Sequence, residues 1–390
     1  MSQSGLQFRS FVLLHFISYF YQNVDFMRVF KMLQNNTRKN HIVNITTGIA
    51  FMLYKTIIQG KLEFGTEKTY DKVLKMFLYR AENYHKSDIL FEPEDIFIKE
   101  ELALKIPRYV HQVYEKTYRN TAKLLAYCSQ FAVSGSLNTW LIDSGKILHH
   151  ENLEPESDKI AVQQYLKGKS LVREEGKQEE AIKALSAAIE KYNRHAQAYE
   201  RRAKVNYIMQ KYHDAKRDYT KSISYDDAYP YAYYGRAKVL VHEEDYKAAI
   251  EDFDKCLKCS VALQEIYWKC RRIKSYCHIQ LKEWELAAFD LKLFCNRKFP
   301  EGSPLESWKE WAYFHYGTIL LELENYTEAL EAFENAIVFN NPKNSISDAE
   351  KLRYRGIAKQ KAGKNGYISD FKEAADLGDN QSAEILRSIA

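Results

Sequence analysis

Positions 34 residues apart in the second half of the chain carry the same kind of side chain. Tyr199, Ala203, Tyr212, Ala215, Tyr219 and Ser222 return as Tyr233, Ala237, Tyr246, Ala249, Phe253 and Cys256. A fixed period of this length constrains the fold more than any local signal, because each period is one supersecondary unit that must stack on its neighbours to bury its apolar side. The signal extends in both directions. Gly176, Ala181, Leu185 and Ala188 carry it one unit earlier. Trp284, Ala287 and Leu291, then Tyr313, Gly317, Tyr326, Ala329, Phe333 and Ala336, carry it later with longer connections. A last unit retains Phe371, Ala374 and Leu377, so six units run from about Lys159 to the C-terminus.

The residue types at these positions read as a helical hairpin. Small residues such as Ala203 and Ala237 let two helices approach closely, while Tyr219 and Phe253 fill the space between them. The stretches "MQKYHD" and "HEEDYK" supply polar turns. Pro230 falls where a new helix begins, a position that tolerates the missing N–H.

Period, residue order and spacing together resemble the tetratricopeptide repeat family. The resemblance covers residues 159–390 and implies stacked hairpins whose first helices line a concave face that binds peptides or partner proteins. Catalysis is not part of what the family implies. Some members grip the C-terminal carboxylate of a cytosolic chaperone with a set of Lys, Asn and Arg side chains. Here Tyr165, Lys169, Arg201, Tyr231 and Gly235 stand at those positions, so that carboxylate clamp is not expected.

Helical spacing of three to four residues places a different set on the first helices. Glu200, Lys204 and Tyr207 share a face in the second unit; Tyr231, Tyr234, Lys238 and His242 share the matching face in the third; Trp311 and Phe314 follow in the fifth. Aromatic rings with a few lysines suit a peptide that has apolar anchors and some acidic character. These nine residues are the candidate partner-binding set, with packing against neighbouring helices or the N-terminal domain as the competing explanation.

The remaining chemistry is sparse. Cys256, Cys259, Cys270 and Cys277 lie within one short stretch, but not as two close ligand pairs on turns, and Cys256 occupies a packing position; buried thiols are expected rather than a metal centre. His149 and His150 read as a polar linker feature. No phosphate-binding glycine loop, HExxH or nucleophile elbow is present, and neither catalytic residues nor a cofactor are expected.

Residues 1–150 show helical periodicity without the repeat, with breaks at "NNTRKN", "QGKLEFGTEK", "HKSDILFEPED" and "SGSLN". With 46% hydrophobic residues, 15 Gly and 7 Pro, the chain reads as all-α: a helical domain over 1–150, a linker over 151–158 and a helical-hairpin solenoid over 159–390. "RYVHQVYEKTYRNTAK", with Tyr109, Tyr114, Lys116, Tyr118 and Arg119, reads as one solvated amphipathic helix. A net charge of +5 does not imply a nucleic-acid partner. Three apolar stretches, Phe11–Tyr21, Ile42–Ile58 and Leu124–Ile142, are short or interrupted for a span that needs about 20 apolar residues. The scattered cysteines favour a reducing, cytoplasmic setting. The resulting expectation is a non-enzymatic interaction scaffold. The alternatives are an effector or enzyme in the N-terminal half with the repeats as sensor, and a membrane-peripheral assembly factor.

Overall fold

A computed structural model describes residues 52–339 and 346–389. The chain divides into two compact units, Met1–Met52 and Leu53–Ala390, and every strand and helix described below belongs to the second. The stretch Phe11–Tyr21, the start of Ile42–Ile58 and the break at "NNTRKN" lie outside the described residues.

The part ahead of the repeats is not all-α. Its described residues hold five strands, β1 (Leu53–Glu63), β2 (Phe97–Ile98), β3 (Ala103–Tyr114), β4 (Ser134–Asp143) and β5 (Lys146–Leu153), with helices α1 (Glu67–Asn83), α2 (Pro93–Ile96) and α3 (Glu115–Ser129) between them. The sheet order is β2-β3-β1-β4-β5, antiparallel throughout, so the first four strands with α1 and α3 have the order of a split βαβ unit and β5 is added at one edge. Two of the expected breaks are strand. Gly60 belongs to a bulge in β1, and Gly135 to the facing part of β4. Their φ values of +137° and +106°, and the 2.1 Å at which a Cβ would meet the opposing backbone carbonyl in either case, show why glycine is needed where these strands close on each other. The stripe expected to be one helix changes state at Tyr114, which is extended and leads from β3 into α3. Residues 151–153 of the expected linker end β5, and His149 and His150 sit on that strand rather than in a linker.

One face of the sheet is covered by its own helices. Ile58, Leu62, Leu104 and Leu137 pack there with Val73, Phe77, Leu124 and Leu125. The other face turns to the repeats, where Ile57, Trp140 and Ile142 bury Val261.

The repeats form six hairpins: α4 (Ile160–Leu171) with α5 (Gln178–Lys191), α6 (Ala196–Ile208) with α7 (Tyr212–Tyr225), α8 (Pro230–His242) with α9 (Tyr246–Cys259), α10 (Glu265–Gln280) with α11 (Trp284–Asn296), α12 (Lys309–Glu322) with α13 (Tyr326–Val338), and α14 (Asp348–Lys361) with α15 (Tyr367–Asp376). Helix α16 (Asn380–Ile389) comes last. Every hairpin turn passes through a left-handed residue, Gly176, Gln210, Glu244, Lys282, Glu324 and Gly363 in turn, with φ between 56° and 76°, and the last turn has a second at Gly366. The Ala203/Ala237 and Tyr219/Phe253 positions are buried, as the period implies. A second element repeats inside the hairpins: an arginine of the first helix grips an aspartate of the second with two nitrogens. Arg202 holds Asp218 at 2.7 and 2.9 Å, Arg236 holds Asp252 at 2.7 Å through both, and Arg355 holds Asp370 at 3.0 and 2.6 Å. Arg271 pairs with Asp290 in the fourth hairpin.

Sheet and repeats meet where second helices end. The last carbonyls of a helix have no partner within it and favour a nearby cation. Lys61 donates to the Tyr225 carbonyl at 3.3 Å, closing α7. Arg108 donates to the Lys258 and Ser260 carbonyls at 2.7 and 2.5 Å, and Gln59 to that of Cys259 at 3.1 Å, closing α9. Gln197 on α6 accepts from the Gly135 amide at 3.0 Å, and the Tyr192 hydroxyl donates to Glu63 at 2.5 Å. For α11, beyond the sheet, Lys309 and Tyr313 bond the Cys295 carbonyl instead.

Gly235 marks the tightest helix contact: a Cβ there would lie 2.1 Å from the Tyr219 ring. Gly235→Ala is expected to lower stability by about 1–3 kcal/mol, as overpacking does. Urea unfolding measures it, and an unchanged midpoint would show that α7 and α8 do not pack in this register.

Candidate functional site

First helices of neighbouring units touch, α6 on α8 and α8 on α10, so their outer faces make one continuous surface. The cations on it fall into two classes. Arg202, Arg236 and Arg271 point back into their hairpins and are neutralised by aspartate. Lys204, Lys238 and Arg272 are a row at successive 34-residue steps, one per unit. Among the described residues none of the three has a carboxylate in ion-pair range. Two of them rest on aromatic rings: Lys238 Nζ is 4.1 Å from the Tyr207 centroid, and the Arg272 guanidinium is 3.7 Å from Trp308 and 5.6 Å from Trp311.

The electrostatics follow from that placement. Burial lowers the pKa of Lys204, with Arg201 adding to the effect and Glu200 offsetting part of it. Burial lowers that of Lys238, helped by the charges of Lys204 and Arg272. Arg272 is lowered by burial too. Lys238 therefore feels the two other cations and no neutralising acid, while Lys204 feels chiefly Arg201.

The nine candidate residues divide. Lys204, Tyr207, Tyr234 and Lys238 gather around the row, and Trp311 joins through Arg272. Tyr231 is 37% exposed beside Arg201, whose guanidinium lies 6.0 Å from its ring. Glu200 is buried, paired with Arg201 at 3.3 Å and reached by the Tyr229 hydroxyl, so it is not a surface acid. Phe314 is buried against Phe333 and Tyr354. His242, at the end of α8, stacks 3.9 Å from Tyr212 near the hairpin turns. Sequence reasoning missed Arg272 and Trp308, although the 34-residue step that relates Lys204 to Lys238 reaches Arg272 as well.

Beside the row lies a cleft of about 820 Å³ between the sheet and the repeats. From the sheet it takes Ser136, Asn138, Trp140, His150 and Asn152, and from the repeats Arg201, Tyr231, Gln264 and Glu265. His150 stacks on Trp140 at 5.0 Å, and burial, then His149, holds its pKa below the usual histidine value. Cys256, Cys270 and Cys277 are buried thiols, and among the described residues no group of His, Cys, Asp and Glu is placed to hold a metal ion. No helix of the described residues is long and apolar enough to cross a membrane.

Tetratricopeptide repeat family models match residues 209–260 and 312–338. The chain carries tetratricopeptide repeats, and its mostly helical body has in addition the N-terminal antiparallel sheet. No curated protein matches its sequence. Among solved structures it is similar to YrrB, described as a TPR protein with an unusual peptide-binding site, at 21% identity and a TM-score of 0.44 over 53% of this chain and 98% of that one. It is similar to PilF of Pseudomonas aeruginosa at 13% identity and a TM-score of 0.46, over 60% and 99% of the two chains. The second TPR of Spaghetti (RPAP3), solved with an HSP90 peptide, is 26% identical over 26% of this chain and 94% of that one, with a TM-score of 0.25.

A half-buried lysine without an acid partner opposes folding while charged. Because burial lowers the folded pKa of Lys238 below 10.5, the folded state holds fewer protons than the unfolded one in the interval beneath 10.5. Its penalty is therefore full below the folded pKa and disappears as pH rises to the unfolded value. Lys238→Met, which keeps a ring contact through its thioether, is expected to gain about 0.5–1 kcal/mol at neutral pH. The gain over wild type should shrink to nothing above pH ~10.5. Thermal unfolding across pH checks this, and a gain that persists at high pH would assign it to packing.

Proposed function

We propose that this protein is a non-enzymatic interaction scaffold whose repeats bind an acidic segment of a partner protein along the Lys204–Lys238–Arg272 row. Tetratricopeptide repeats support a protein-interaction role in general. The observation that carries the finer reading is three partly desolvated cations on touching helices with no carboxylate in ion-pair range. Charge taken out of water is costly unless paired, and a partner's carboxylates supply the missing pairs in a setting where they count for more than in bulk water. The rings of Tyr207, Trp308 and Trp311 add apolar contact area to the same surface. A role for the N-terminal sheet in support of the repeats, rather than as a separate effector, is favoured by its bonds to their loops.

The test is binding of a labelled nine-glutamate peptide to the full chain at low salt, followed by fluorescence anisotropy. Replacing Lys204, Lys238 and Arg272 by alanine is expected to weaken it at least tenfold, about 1.4 kcal/mol, while the thermal midpoint stays level or rises. Equal affinity in the triple variant, or no binding by the wild type, would refute the reading.

A further inference from the structure

The cleft beneath the sheet and the cation row are adjacent parts of one surface. Arg201 and Tyr231 line the cleft, yet Arg201 also acts on Lys204, and Glu265 of the cleft wall holds Lys269, whose charge reaches Lys204 too. Along α8, Tyr231 at the cleft and Lys238 in the row are seven residues apart, roughly 10 Å at 1.5 Å per residue. That width fits one extended chain with its side chains. On the sheet side, Asn138 and Asn152 are direct cross-strand partners and both line the cleft, with Asn138 Oδ1 3.4 Å from His150 Nε2 and the Asn152 amide donating to Glu154 at 2.9 Å. Carboxamides carry both donor and acceptor and match the main-chain groups of an extended peptide.

The spacing of the row adds a second constraint. Touching helices have axes about 8–10 Å apart, and Lys204 and Lys238 occupy equivalent places on two of them, with Arg272 about one helical turn nearer the start of the third. A polyproline-type chain rises about 3.1 Å per residue with three residues per turn, so every third side chain faces the same way about 9 Å further on. An α-helical ligand would need acids seven residues apart and, being about 10–12 Å across, would hold its backbone well above Lys238 and Arg272, which lie down on their rings.

We propose that the row and the cleft form a single composite site, with the N-terminal sheet as one wall, for an extended segment that carries an acidic residue at every third position. Its acids pair with Lys204, Lys238 and Arg272; its main chain and remaining side chains lie toward Asn138, Asn152 and the Trp140–His150 stack. This rests on the acidic-segment reading above and goes beyond it by assigning a conformation, a spacing and a role for the sheet.

Three capped peptides titrated calorimetrically into the full chain test it: one with glutamate at positions 1, 4 and 7 among prolines and alanines, one of the same composition with the glutamates adjacent, and a helix-forming peptide with glutamates seven apart. The spaced peptide is expected to bind at least fivefold more tightly than either of the others. Asn138→Tyr, and separately Asn152→Trp on the edge strand, are each expected to weaken it at least fivefold with an unchanged thermal midpoint. Equal affinity for the three peptides, or preference for the helical one, overturns the spacing. Full affinity in both asparagine variants overturns the sheet wall. In either case Lys238→Met tells whether the acidic-segment reading survives: it does if that variant still weakens binding, and falls with the rest if it does not.

Discussion

The structure depends on how the second helices of two hairpins are ended. Helices α7 and α9 finish with carbonyls that have no partner within the helix, and the donors come from the neighbouring sheet: Lys61 to Tyr225, Arg108 to Lys258 and Ser260, Gln59 to Cys259. Two of the three donors are cations, as the negative end of a helix dipole favours. The same contact solves the sheet's own problem, since an antiparallel sheet with helices on one face leaves the other to be covered. Here Ile57, Trp140 and Ile142 cover it with Val261. Lys61 shows the balance within that contact: burial works to lower its pKa, and Glu63 and Glu101, at 2.9 and 2.8 Å, outweigh it and raise the value.

That joint decides which cations are spoken for. Lys61 and Arg108 are held at helix ends, and Arg202, Arg236, Arg271 and Arg355 are held by aspartates inside their hairpins. Lys351, buried in the last hairpin, is flanked by Glu310 and Asp348. Against this pattern of buried or half-buried bases each matched to an acid or a carbonyl, Lys204, Lys238 and Arg272 stand out because none has a carboxylate in ion-pair range and Lys238 and Arg272 lie on rings instead. Binding surfaces are where a chain tolerates such unfavourable placement, since the partner removes the cost.

The solenoid was legible in the sequence because its packing is local and periodic. Ala203, Tyr219, Ala237 and Phe253 meet neighbours within one or two units, and the step of 34 records it. The sheet was not legible for an equally physical reason. Helical segments such as α1 and α3 have a polar side that gives the 3.6-residue rhythm away, whereas β1 is buried on both faces and places charges in its interior, so Lys61 and Glu63 read as surface although each is about 5% exposed. Its partners β3 and β4 lie far along the chain, and β5 is a polar edge with little alternation to reveal it. In the candidate site the lysines and outward tyrosines were readable from helical spacing. Glu200 and Phe314 were misplaced because three-to-four spacing names a face of a helix but not how far the neighbouring helix overlaps it.

The central claim is that repeats and sheet together present one surface to an acidic segment. Hydrogen–deuterium exchange on the full chain, with and without the spaced acidic peptide at saturation, tests it most directly. The account expects slowed exchange in β4 and β5 around Asn138 and Asn152 together with slowed exchange in α6, α8 and α10. Protection confined to the second helices α7, α9 and α11, with β4 and β5 and the first helices unchanged, would contradict it.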